Sequence, residues 1–225
     1  SGFKFQGVIV SNADLHIDTY KKAEMPAAYG ANNHGGFECI NGEYYIFYHR
    51  HTNGTWYCRQ GCAEKIKINN DGTINQVEIT SCGLNNGPLK GKGEYPAYIA
   101  CNLFLAKEPV LYIKGKNEPL ITQEGRDGDE ELGFIDNVTD STTIGFKYFD
   151  FKDTSSITIT VRGYSGGTYE VKTELDGPTL GKVEIENQNI WHKYKINAKI
   201  PDGVHALYLV YTGGGNHQLK CIDIE

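Results

Sequence analysis

The sequence holds a single methionine, few alanines and leucines, and almost no helical periodicity in its 225 residues. Only Ala23 to Ala31 has room for a helical turn or two, limited by Pro26 and Gly30. No apolar run approaches the ~20 residues of a membrane-spanning helix, so no membrane partner is expected. A basic stripe is also missing and the net charge is −6, which argues against a nucleic-acid partner. The opening Ser1-Gly2-Phe3-Lys4 has neither the basic start nor the small-residue cleavage site of a signal peptide. Six cysteines are scattered, and only Cys58 and Cys62 lie close together. A zinc site built on them would need a second cluster, which is absent, so free thiols or at most one disulfide are expected. Wholesale disorder is excluded by 39% apolar and 22% charged residues.

What is present is glycine (27), tyrosine (15) and phenylalanine (9), the composition of short strands and tight turns. Gly7 to Val10 reads as a short buried strand. Phe37 to Ile40 and Tyr44 to His49 flank Asn41-Gly42, a strong hairpin signal. Trp56 to Arg59 and Ala63 to Ile68 follow, so 37–68 reads as three or four antiparallel strands, about one propeller blade. The pattern thins between Ala106 and Pro119. Residues 1–107 carry a net charge of +1 and residues 108–225 a net charge of −7, a sign of two modules. Beyond the thin stretch, strands are expected near 143–149, 156–162, 168–173, 182–185, 192–196, 205–211 and 219–224. Gly166-Gly167 reads as the break between the second and third of these. Such spacing suits a β-sandwich.

Asn32-Asn33-His34-Gly35-Gly36-Phe37, Asn41 to His51 and Cys58 to Ile66 together resemble a late blade of the five-bladed propeller of family 43 glycoside hydrolases. These are β-xylosidases, α-L-arabinofuranosidases and arabinanases. Ile121-Thr122-Gln123-Glu124, Gly133 to Asn137, Ile157 to Val161 and Gly203 to Asn216 resemble family 6 carbohydrate-binding modules. The expected fold is all-β: the last blades of a propeller over 1–107, a linker over 108–118, and a jelly-roll-like sandwich over 119–225. Family 43 enzymes invert at the anomeric carbon with two Asp and one Glu on their first three blades. Nothing in 1–107 matches those motifs, so no catalytic carboxylate is assigned here. The resemblance implies a fragment of a hydrolase acting on xylan, arabinan or arabinoxylan, with the remaining propeller, or a second copy, as partner. Polymer substrates imply a secreted, extracellular or periplasmic location. The alternative is a non-catalytic protein that binds plant cell-wall polysaccharide or oligosaccharide through its sandwich.

By the same resemblance, His34 lies on the propeller axis, in the substrate pocket and near calcium, and Arg59 faces that pocket. A guanidinium fork suits two adjacent sugar hydroxyls. His49, Arg50 and His51 alternate faces of one strand and serve blade packing or the pocket. Trp56 and Tyr57 are expected in the core rather than as a sugar platform. Glu124 and Asp223 match positions that hold a structural calcium. Trp191 and Asn216 match one ring and the Asn of the family 6 sugar site, while Thr142 or Thr143 fills the second ring's place. The run Asp127 to Glu131 lacks EF-hand spacing and reads as a solvated loop.

Overall fold

Asn41 and Gly42 reverse the chain between β1 (Gly36–Ile40) and β2 (Glu43–His51), with Ile40 opposite Glu43 and Phe37 opposite Ile46. The Asn-Gly hairpin is thus where the sequence puts it. β3 (Arg59–Ile66) pairs antiparallel with β2, from Tyr44 opposite Ile66 to His51 opposite Arg59, and completes a three-stranded sheet. This computed structural model describes residues 2–105, 118–125 and 133–225. Apart from single 3-10 turns at Asn12–Asp14 and Ala97–Ile99, the regular structure of the described residues is all β. Residues 23–31 form turns and no helix, and 7–10 are not a strand: Val8 is exposed, and Ile9 only accepts a hydrogen bond from Val77 N.

A second, curled sheet of ten strands takes in the rest. It contains β4 (Leu89–Lys90), β5 (Gly93–Pro96), β6 (Asn102–Leu105), β7 (Leu120–Thr122), β8 (Phe134–Val138), β9 (Thr142–Phe151), β10 (Ser156–Lys172), β11 (Gly181–Ile185), β12 (Gln188–Asn197) and β13 (Gly203–Ile224). β10 and β13 run antiparallel from Ile157 opposite Ile224 to Lys172 opposite Tyr208. Along its length β13 also takes up β9, β8 and β5. β4 and β6 pair with β9, so strands from before residue 107 are hydrogen-bonded into the sheet formed after it. All but the last residue of the expected linker 108–118, and the run 127–131, lie outside the described residues.

The glycine pair expected to separate two strands, Gly166-Gly167, does not. Gly166 and Gly167 sit inside β10, opposite Gly214 and Gly213 inside the 22-residue β13. The backbones approach so closely that a Cβ at Gly213 would lie 2.5 Å from the Gly166 carbonyl oxygen and 2.6 Å from the Gly167 Cα. Glycine is placed here for contact between two long strands, not to turn the chain.

The main core lies within the curled sheet. Ile157, Ile159 and Val161 of β10 meet Ile144, Phe146 and Phe149 of β9 and Leu207, Leu209 and Leu219 of β13. Full burial of each such side chain stabilises by about 1.5–3 kcal/mol. A smaller cluster of Tyr48, Ile79 and Cys101 sits under the three-stranded sheet. All six cysteines are free thiols.

Candidate functional site

Alternation along β2 sends His49 and His51 to one face and Arg50 to the other. Arg50 is used structurally: its guanidinium donates to the carbonyls of Ala100 at 2.5 Å and Tyr98 at 2.7 Å, and its Nε to Gln60 Oε1. On the opposite face the rings form a ladder. His34 meets His49 edge-on at 4.5 Å, His49 meets His51 at 5.5 Å, and His51 meets Trp56 at 5.5 Å. Burial, followed by the neighbouring His34, Arg59 and His51, lowers the pKa of His49. Asn32 Oδ1 lies 3.0 Å from His51 Nε2, so the Asn-Asn-His segment also fixes the next rung of the ladder.

His34 itself is exposed and reaches this ladder from the turn before β1. Gly35 behind it is obligatory, since a Cβ there would collide with the Phe47 carbonyl oxygen. Arg59 is exposed at the start of β3, opposite His51, and its guanidinium has no hydrogen bond or ion pair among the described residues. It lines a cleft of about 620 Å³ together with Asn53, Tyr57, Gln60 and, from the second sheet's side, Tyr98, Thr122 and Gln123. The structure therefore brings His34 and Arg59 to opposite ends of one ring-lined region. Trp56 and Tyr57 are not core residues: they are 61% and 90% exposed. The β2–β3 connection is a loop that carries them out of the sheet, so strand-based reasoning does not apply to them.

The sandwich residues are arranged differently from the sequence-based expectation. The Arg162 guanidinium covers the Trp191 ring at 4.3 Å, with Phe134 edge-on at 5.8 Å. Asn216 donates to Asn137 Oδ1 at 3.0 Å and stands opposite Tyr164, two residues beyond Arg162 on the same face of β10. Trp191 and Asn216 share that face, but one side of the indole is occupied. Thr142 and Thr143 are buried on β9.

Glu124 and Asp223 are not brought together. Glu124 is paired with Arg162, whereas Asp223 stands opposite Thr158 and Glu94. A calcium shell shared by these two carboxylates does not fit this arrangement, because Glu124 already has a cationic partner. Among the described residues no group of three His, Cys, Asp or Glu side chains could hold a metal ion.

The largest polar assembly was not anticipated from the sequence. Lys147, on β9, is wholly buried and reaches Glu78 and Asp14 of the amino-terminal half. Its ammonium also sits 3.6 Å from the centre of the Tyr20 ring. Burial works against its charge, and Cys101, Asp14 and Glu78 outweigh that, so its pKa is held above the ordinary value. The one available signal was a lysine in the middle of the apolar run Ile144 to Phe149.

Comparison with known proteins accords with the resemblance read from the sequence. Residues 115–225 match the family model for carbohydrate binding module (family 6). Over 99% of its length the chain is 59% identical to a protein named xylosidase/arabinosidase from Thermoclostridium stercorarium, of which it covers 48%. Among solved structures, a family 43 arabinoxylan arabinofuranohydrolase from Bacillus subtilis, in complex with cellotetraose, aligns with all of the chain and 45% of its own. Its TM-score is 0.57 at 19% identity. A β-1,3-glucan-binding family 6 module from Bacillus halodurans aligns with 62% of the chain and 99% of its own, with a TM-score of 0.50 at 21% identity. The fold is thus shared with the hydrolase and with the module, and the chain spans about half the length of the relatives that match all of it.

Proposed function

We propose that this chain is part of a glycoside hydrolase that removes arabinofuranosyl or xylosyl units from arabinoxylan, xylan or arabinan with inversion. In this reading it supplies His34 and Arg59 to the substrate pocket, while the acid and base carboxylates come from sequence outside it. The observation that carries the proposal is the 59% identity with a xylosidase/arabinosidase along nearly the whole chain. The local chemistry agrees. Inversion needs two carboxyl groups about 6.5–9.5 Å apart around a sugar and a water. Among the described residues, no Asp or Glu lines the cleft beside Arg59. Asp14, Glu64 and Glu78 are committed to internal hydrogen bonds. A polymer substrate places the protein outside the cell or in the periplasm.

The test is hydrolysis of nitrophenyl arabinofuranoside and nitrophenyl xyloside. The chain alone releases no nitrophenol, and a longer protein that includes the remaining propeller does. In that longer protein Arg59→Ala lowers kcat/KM by at least about tenfold, the loss of one charged hydrogen-bonding contact. Turnover by the chain alone would overturn the proposal.

A second reading, sugar binding by the sandwich itself, is favoured by one observation: the Tyr164 ring is 77% exposed next to Asn216 and on the same face as Trp191. Retardation of the chain in gels containing arabinoxylan, abolished by Trp191→Ala, is the result it requires.

A further inference from the structure

We infer that His49 is a positioning residue: its buried ring holds the His34 imidazole in the orientation that the substrate pocket uses. The inference rests on the hydrolase reading above and adds to it a side chain that acts through His34 without meeting the sugar.

Three observations carry it. First, the segment Asn32-Asn33-His34 is fastened to β2 at two successive positions of one face. Asn32 Oδ1 lies 3.0 Å from His51 Nε2, and the His34 ring stands edge-on to His49 with 4.5 Å between ring centres. Second, the backbone behind His34 is fastened to the same strand. Gly35 lies so close to the Phe47 carbonyl that no side chain fits between them, and Phe47 precedes His49 by two residues on that face. Third, the ring that His34 leans on is itself held. His49 and His51 are buried, whereas His34 is exposed. His51 has a partner at each nitrogen, with the Thr55 carbonyl oxygen 3.3 Å from Nδ1, and it backs His49 edge-on at 5.5 Å. A solvent-facing imidazole is thus braced by a ring that has no room to turn away. Bracing of this kind matters to a reaction because a small misplacement of a pocket group costs far more in rate than in binding.

Two measurements test this. In the 225-residue chain, nuclear spin relaxation at His34 Cε1 is expected to report a ring as rigid as the backbone beside it. His49→Ala frees that ring, and His49→Phe, which keeps an aromatic edge against it, does not. In the longer protein that includes the remaining propeller, His49→Ala lowers kcat/KM on nitrophenyl arabinofuranoside or xyloside by about tenfold. His49→Phe recovers most of that loss. Once His34 has been replaced by Ala, His49→Ala makes less than about a twofold further difference, because the two rings act as a unit. His49→Phe also removes a buried Nε2 that has no hydrogen-bond partner, so this variant should melt no lower than the parent, which separates positioning from folding.

An equal loss on His49→Ala with and without His34 overturns the inference. So does a Phe variant as impaired as the Ala variant, or a His34 ring equally mobile in the parent chain and in His49→Ala. A longer protein without turnover would overturn the hydrolase reading and with it the catalytic use of His34, while the relaxation comparison would still decide whether His49 holds that ring.

Discussion

Lys147 Nζ lies 2.6 Å from Glu78 Oε1, and the lysine side chain is completely shielded from solvent. The pair joins β9 to a segment nearly seventy residues earlier, with Asp14 Oδ2 3.4 Å from the same ammonium. Tyr148, next along β9, donates to Glu78 as well. Removing one partner of such a set leaves the others charged and buried. Lys147→Ala is therefore expected to destabilise the chain by about 3–5 kcal/mol, read from urea unfolding. A loss below about 1 kcal/mol would mean that water reaches the cluster.

Glu64 gives a pH dependence of definite sign. Burial raises its pKa to about 7 despite hydrogen bonds from Thr80 and Tyr48. Between about 4.5 and 7 the folded chain holds a proton that the unfolded chain has released. Its share of stability is intact below that window and is lost as pH rises through it, by up to roughly 3 kcal/mol. Glu64→Gln should remove this fall, and urea midpoints measured across the window check it.

His217 works in the opposite direction. It is buried beside Tyr169, whose hydroxyl lies 2.6 Å from Nε2, and burial lowers its pKa to about 4. Its share of stability is present above 6.5 and is lost as pH falls toward 4. In the overlap of the two windows the effects oppose, so the parent chain should show a shallow profile. Glu64→Gln should then give stability rising with pH, and His217→Gln stability falling with it. Parallel profiles for the two variants would refute the assignment.

The adjacent glycines at the start of β1, Gly35 just before it and Gly36 its first residue, should respond very differently to a methyl group. At Gly35 the added carbon meets the Phe47 backbone, whereas at Gly36 nothing lies within 4 Å. Gly35→Ala is expected to cost more than about 2 kcal/mol and to displace His34 from His49, visible in the histidine ring resonances by NMR. Gly36→Ala should change stability by less than about 1 kcal/mol.

How far these features could be read from the sequence depends on how local they are. The Asn41-Gly42 hairpin and the paired strands around it need only neighbouring residues, and they are where the pattern indicates. The Gly166-Gly167 pair misleads because Gly167 is selected by a partner, Gly213, 46 residues away, which no local rule registers. Aromatic residues in a strand-like pattern are expected in the core, yet the β2–β3 loop lifts Trp56 and Tyr57 off the sheet. The strand expected from His192 in fact starts at Gln188 and includes Trp191, and nothing local marks the Arg162 that covers its ring. The Lys147 cluster draws on positions 14, 20, 78 and 147, and its charges become informative only after folding places them together.

The short strands of 89–105 belong by hydrogen bonding to the sheet that follows them, although the family match begins only at 115. Trimming the polypeptide at that match would strip β9 and β13 of neighbours and leave unpaired backbone rows on both, an invitation to self-association. The seam that sequence similarity marks and the seam along which the molecule would come apart are therefore different lines, and anyone dissecting the chain into working pieces should follow the second.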